Sequence, residues 1–302
     1  MAHQHDHPAV ALQRAPHPEQ HRHRPGSPRA FRWSVILNSA LSGLQLVIGT
    51  RFGSLALIGD AVHNLGDVAG LLLGWGAERI STRPPAGRFT YGFGRTTQLA
   101  SLANGVLILM ASAVVLVEAV QRLLTPRPVV PGPVLWAAAA GVAVNLFSAR
   151  LFGADNNHDL NRRAAVVHLL TDAAVSAAVL VSAALVAATG QDWIDACTAI
   201  GVGLAVAWSG FQLLRDAVGI ILDGVPTGID ILEVEATLRG LPDVVDVHHV
   251  HVWALSTSHN ALTAHVVRRR DAVNDLDLLH EAKLRLARLG IGHSTLQLEP
   301  ED

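Results

Sequence analysis

Charge is scarce in this chain. Only 16% of its 302 residues are Asp, Glu, Lys or Arg, against about 25% in a soluble globular domain. That is too few to cover a surface that faces water on all sides. The net charge of −2 lacks the basic balance with which nucleic-acid binders hold phosphate, so no nucleic-acid partner is expected. Cysteine is almost absent. Cys197 alone excludes a disulfide framework and any zinc fold built on thiolates. The N-terminus has no short apolar core of the kind a cleavable signal peptide carries, so the first residues are expected to stay on the mature protein.

What fills the chain instead is Ala, Val, Leu and Gly, with a mean hydropathy of +0.34. Small residues suit close helix packing in a bilayer. Six apolar runs, 33–52, 54–77, 99–122, 133–152, 164–189 and 193–222, approach the roughly 20 residues that span a bilayer as a helix. Arginine sets their direction. Arg22, Arg24, Arg29 and Arg32, then Arg79, Arg83, Arg88 and Arg95, then Arg150, Arg162 and Arg163 fall in one set of connections. The other set holds Arg51, Arg122 and Arg127. Positive charge stays in the cytoplasm, so both termini are expected there, in a bacterial inner or cell membrane.

Three parts are expected. Residues 1–30 form a disordered His-rich cytoplasmic tail with His3, His5, His7, His17, His21 and His23. Residues 31–225 form a membrane bundle of six helices. Residues 226–302 form a small cytoplasmic α+β domain, with helices over 229–239 and 276–289 and strands over 244–255, 262–268 and 294–298. A unit that short gains from pairing with a second copy.

The chemistry lies in the spans. The second contains His63 and Asp67, the fifth His168 and Asp172, each pair at His-x-x-x-Asp spacing. Residues four apart share one helical face. Two such helices facing each other offer two imidazoles and two carboxylates, the donor set of a tetrahedral Zn2+ site. One intramembrane His or Asp alone reads as a satisfied structural residue; two matched pairs point to an ion path, because ionisable groups in a bilayer are costly and rare. Metal takes neutral imidazole and ionised carboxylate, so its binding releases protons, and protons are the expected counter-substrate. Asp60 can line the same path. Asn38, Gln45, Asn104 and Asn145 read as interhelical hydrogen-bonders, and Asp195 fits either an outer opening or the membrane interface.

At these residues the chain resembles the cation diffusion facilitator family of zinc-efflux transporters. The likeness runs through SLALIGDAVHNLGD, EAVQRLLTP, NRRAAVVHLLTD, ILDGVP, VDVHHVHVWAL and HSTLQLE, in the family's order. It implies a homodimer, six spans and a ferredoxin-like cytoplasmic domain that binds additional, regulatory Zn2+. It also implies that His63, Asp67, His168 and Asp172 form the transported-ion site, with a preference for zinc. His248, His265, His280 and Glu299 match positions that hold metal in the family's C-terminal domain. Two departures stand out. The loop STRPPAGRFTYGFGR lacks the His and Asp that some members use there, and His249 replaces the family's usual Asp. Strand alternation sends His249 and His251 to the face opposite His248; with His259 and His293 they are secondary candidates.

Proton-coupled Zn2+ export by alternating access, with other divalent metals as further substrates, is the expected function. A passive channel and a membrane-anchored metal sensor are the alternatives. No enzyme is expected, since a metalloprotease needs a general base beside its metal, as in His-Glu-x-x-His.

Overall fold

Each of the six apolar runs folds into one long helix. The computed structural model describes residues 28–153, 160–256, 259–270 and 274–301; the His-rich tail expected over 1–30 lies outside them up to residue 27. The helices are α1 Pro28–Phe52, α2 Leu55–Ser81, α3 Thr96–Leu124, α4 Pro131–Gly153, α5 Leu160–Thr189 and α6 Trp193–Ile221. All six are long and apolar enough to cross a membrane. The shortest has 23 residues, about 35 Å at 1.5 Å per residue, which exceeds a hydrocarbon core of about 30 Å.

Burial supports the same conclusion. Large apolar side chains face outward, with Trp136 81% exposed, Val114 70% and Leu72 61%. Polar ones are turned in: Gln45, Asp60, Asn145 and Ser176 are fully buried. That inversion suits a bundle whose surroundings are lipid, where polar groups must find partners inside. α3 packs along α6 and α4 along α5, while α2 touches α1, α3, α5 and α6. A core of Leu55, Leu57, Val134 and Val179 fills the end of the bundle where α2 begins.

The helix ends are held by polar groups from far along the chain. Ser54 caps α2, its Oγ accepting from the Leu57 amide at 3.1 Å. Asp195, in the first turn of α6, accepts from Ser54 Oγ at 2.5 Å, from the Leu55 amide at 2.6 Å and from the Ala56 amide at 3.4 Å. The first N–H groups of a helix have no partner within it; here a carboxylate 141 residues away supplies one. Asp195 is therefore a buried helix cap.

After α6 the period changes. The chain forms α7 Ile231–Arg239, β1 Val244–Ser256, β2 His259–Arg268, α8 Asp275–Arg288 and β3 Ile291–Pro300. β1 pairs antiparallel with β2 and β2 parallel with β3, in the order β1-β2-β3. The sequence α–β–β–α–β is a ferredoxin-like unit without its first strand. Val234, Leu238, Val247, Leu262, Leu286 and Ile291 form its core. The loop between α2 and α3 meets this domain. Gly94 lies so near β1 that a Cβ would fall 2.6 Å from the Leu255 carbonyl oxygen. Beside it Arg95 pairs with Asp223, just past α6.

The Asp195 cap generates a stability order. Asp195→Ala leaves a buried hydroxyl and two backbone amides unpaired and is expected to cost about 2–4 kcal/mol. Ser54→Ala, which removes one cap acceptor, is expected to cost about 1 kcal/mol. Apparent thermal midpoints in detergent check this; an Asp195→Ala midpoint equal to wild type would refute the cap.

Candidate metal centre

The two His-x-x-x-Asp faces meet. α2 supplies His63 and Asp67, α5 supplies His168 and Asp172, and the helices are in contact along these turns. His63 Nε2 stands 3.2 Å from Asp172 Oδ1 and 3.9 Å from Asp67 Oδ2. His168 Nε2 stands 3.3 Å from Asp67 Oδ2 and 3.6 Å from Asp172 Oδ2. Each imidazole thus touches both carboxylates. Donor atoms held about 2.0–2.2 Å from a tetrahedral Zn2+ lie roughly 3.3–3.6 Å from one another. One ligand atom each from His63, Asp67 and Asp172 lies within 4.8 Å of the others; His168 stands at the edge of that trio, beside Asp67 Oδ2 and the second Asp172 oxygen. The two rings lie 6.4 Å apart and nearly perpendicular, so neither stacks on the other and blocks the centre. Asp67 Oδ2 is buried and faces the two imidazoles, 3.3 Å from His168 Nε2 and 3.9 Å from His63 Nε2.

A cavity reaches the site. Asp67, His168 and Asp172 line a cavity of about 450 Å3, with Asn38 from α1, Gly74 from α2, Asn104 from α3 and Leu213 from α6. These residues lie toward the end of the bundle that carries the C-terminal domain. His168 is half exposed to that cavity, while His63 is mostly covered and Asp172 buried. The intramembrane amides divide. Asn38 and Asn104 line the cavity, and Gln45 bonds across helices to Asp60 at 3.1 Å. Neither amide atom of Asn145 makes a hydrogen bond among the described residues. Asp60 is not part of the cavity wall; it is enclosed one turn beyond His63.

A second group forms on the sheet. β1 and β2 pair His248 directly with His265, and β3 sets Glu299 opposite Val267, two residues along β2. Glu299 bridges them, 3.3 Å from His248 Nε2 and 2.8 Å from His265 Nδ1. One ligand atom from each lies within 4.8 Å of the others, close enough to share an ion. His280 stands apart on α8, lining a depression with Asp243, Arg268 and Glu281. The Arg285 guanidinium, hydrogen-bonded to Glu281, holds that carboxyl below the usual carboxylate range.

His249 departs from the expected alternation. The β1–β2 register slips between His248 and His251, and His249 adopts φ of 50°. A bulge adds a residue to one strand and re-aims its side chain. The His249 ring lies 5.3 Å from that of His248 and stacks 5.1 Å from that of His265. It therefore joins the group that alternation had it avoid. His251 lines a separate hollow with Trp253 and Asp223, His259 meets Ser256 at 3.0 Å, and the His293 ring stands edge-on to Tyr91.

Comparison with known proteins bears on both groups. The profile described as the cation efflux transmembrane domain matches residues 32–222, and that of the cation efflux protein cytoplasmic domain matches 226–301. The metal cation efflux system protein CzcD of Cupriavidus metallidurans is 31% identical over 92% of this chain and 89% of its own. The zinc transporter ZitB of Escherichia coli is 33% identical over 99% of this chain and 93% of its own. A cadmium, cobalt and zinc/H+-K+ antiporter of Bacillus subtilis is 28% identical over 93% and 92%. Two domain profiles matched in order, and relatives aligned over nearly their whole length, show that the chain belongs to the cation diffusion facilitator family of cation efflux transporters.

Proposed function

We propose that this transporter exports Zn2+ from the cytoplasm in exchange for protons, by alternating access, with His63, Asp67, His168 and Asp172 as the transported-ion site. The observation that carries the reading is the set of four imidazole–carboxylate separations, 3.2 to 3.9 Å, beside a cavity that Asp67, His168 and Asp172 line. Two nitrogens and two oxygens bind Zn2+ without thiolates, which favours an ion that must leave again. Relatives named as a zinc transporter and as a cadmium, cobalt and zinc/H+-K+ antiporter support the substrate class and the exchange; Cd2+ and Co2+ follow as further substrates.

The chemistry of exchange follows from the ligands. Without metal, each imidazole faces two carboxylates, so a proton on either ring is well paired. Metal entering from the cavity must displace those protons, since it binds neutral imidazole and ionised carboxylate. Protons arriving after the site turns outward reverse the step. Tight four-fold ligation is opposed to a passive channel, where conduction needs weak, multi-site binding. Arginine bias puts the cavity end in the cytoplasm: Arg79, Arg83, Arg88, Arg95 and Arg163 lie at that end, Arg51, Arg122 and Arg127 at the other. In this reading 31–225 is the transport unit and 226–302 a cytoplasmic domain through which two copies pair.

The domain's role is regulatory. His248, His265 and Glu299 are three ligands of a tetrahedral site, leaving a position for water or for a group from a second copy, His280 among the candidates. Metal there would favour one arrangement of the pair when cytoplasmic metal is high.

Three outcomes are expected. Zinc enters inside-out proteoliposomes against its gradient when only a pH gradient is imposed, and His63→Ala with His168→Ala abolishes both zinc uptake and zinc-dependent proton flux; proton flux unchanged in that double variant contradicts the exchange. His63→Asp, which hardens the site, is expected to widen the set of metals against which cells are protected; an unaltered set argues that the ligands do not select. Glu299→Ala is expected to weaken zinc binding to the C-terminal domain at least tenfold, about 1.4 kcal/mol, while leaving the intramembrane site's affinity as it was; calorimetry on both sites checks it.

A further inference from the structure

A third membrane carboxylate lies one turn from the quartet, on the side away from the cavity. Asp60 is fully buried. Its Oδ2 accepts from Gln45 Nε2 at 3.1 Å and from Ser176 Oγ at 2.9 Å, and its Oδ1 from Asn64 Nδ2 at 3.4 Å. These partners come from α1, α5 and α2, and none belongs to the quartet. On α4, Gly141 closes the group: a Cβ there would lie 2.8 Å from Gln45 Nε2 and 2.9 Å from Ser176 Oγ. The titratable groups that face Asp60 are His63 on its own helix and Asp172 on α5. Among the described residues, α1 meets Asp60 through the neutral Gln45 and α4 closes the group through Gly141.

Two features say what such a group can hold. The packing around Gly141 leaves no room for a hydrated cation, whereas a proton needs none. Every partner can also reverse its role. Gln45 and Asn64 each carry a carbonyl oxygen beside the NH2, and the Ser176 hydroxyl accepts as well as donates. Gln45 Oε1 is buried and accepts from nothing; turning the amide would aim it at an Asp60 O–H. The same surroundings therefore satisfy both the carboxylate and the acid. Asn145 stands one turn along α4 from Gly141, is 0% exposed, and has neither amide atom bonded. Buried polar atoms without a protein partner are where ordered water is usually held, and water is the carrier that reaches an enclosed carboxylate.

We propose that Asp60 is a proton-binding site separate from the metal ligands, and that it carries one further proton of the exchange, besides those that leave and rejoin the imidazoles. It takes the proton from hydronium, leaving water and the neutral acid; the return step gives the proton back to water and restores the carboxylate. The proposal rests on the proton-exchange reading above and adds the residue that holds this further proton.

The test uses full-length protein in proteoliposomes, with zinc itself as the probe: wild type, Asp60→Asn and Asp60→Glu. Asp60→Asn is expected to keep its zinc affinity within about threefold and its downhill zinc flux, yet lose at least half of its stimulation by a pH gradient. Asp60→Glu is expected to retain stimulation. Zinc-difference infrared spectra of wild type should show a protonated-carboxyl band that Asp60→Asn lacks and that Asp60→Glu shifts. Full pH stimulation in Asp60→Asn overturns the proposal. So does a tenfold or larger loss of zinc affinity, which would place Asp60 among the metal's own supports. If Asp60→Asn does not fold, the Glu variant decides, because an unshifted band assigns the proton elsewhere. Wild type indifferent to a pH gradient sinks the exchange reading and this proposal with it; failure confined to the variants sinks this proposal alone.

Discussion

An ionisable side chain carried into an apolar bundle must find its hydrogen bonds there, because lipid supplies none. Asp195, Asp172 and Asp60 meet that constraint in three ways. Asp195 takes the free amides at the start of α2 and one hydroxyl, and so becomes part of the backbone's own accounting. Asp172 lies between two imidazoles, 3.2 Å from one and 3.6 Å from the other. Asp60 is surrounded by amides and a hydroxyl that can donate or accept. These bonds tie the helices together: α6 to the start of α2, α5 to α2, and α1 to α2 through Gln45. Apolar side chains fill the rest of the interior around Leu55, Leu57 and Val134, and others face outward, as surroundings of lipid allow.

Much of this was legible in the sequence, for reasons that are local. A span is a property of some 20 consecutive residues, and all six runs became helices within a few residues of their expected ends. The quartet was legible because each half lies on one helix, where a spacing of four fixes a shared face whatever the rest of the chain does. The strands and helices after residue 226 were read from periodicity in the same way.

What was not legible depends on distance or on strain. Asp195 was read as a residue of an opening or an interface, since no local pattern links it to amides 140 residues earlier. His249 was sent to the wrong face because alternation assumes an unbroken ladder, and a bulge with φ of 50° breaks it. Two adjacent histidines in a strand were the one available hint, as side chains that share a ligand group are a reason to keep a bulge. Asp60 was grouped with the cavity because it precedes His63 by one turn; only the packing of Gln45, Ser176 and Gly141 around it shows that it faces the other way. Which end the cavity serves was not visible either, because it depends on how six helices lean together.

In the proposed cycle, the two sides of the site differ in what must move. On the cavity side, His168 and Asp67 reach open space lined by α1, α2, α3, α5 and α6. On the other side the path is closed by the Gln45–Asp60–Ser176 layer and, beyond it, by the apolar core around Leu55, Leu57 and Val134. Outward opening in the proposed cycle would part α1 or α5 from α2 at that layer, which would break hydrogen bonds to a buried carboxylate. Separating those partners while Asp60 stays ionised and dry leaves a charge unsatisfied, which is far costlier than losing a neutral hydrogen bond. Water entering as the layer parts would relieve it, and so would a proton on Asp60. A proton arriving from outside is therefore both what the proposed exchange consumes and what makes its opening step less costly, and a single residue on α2 can couple the two.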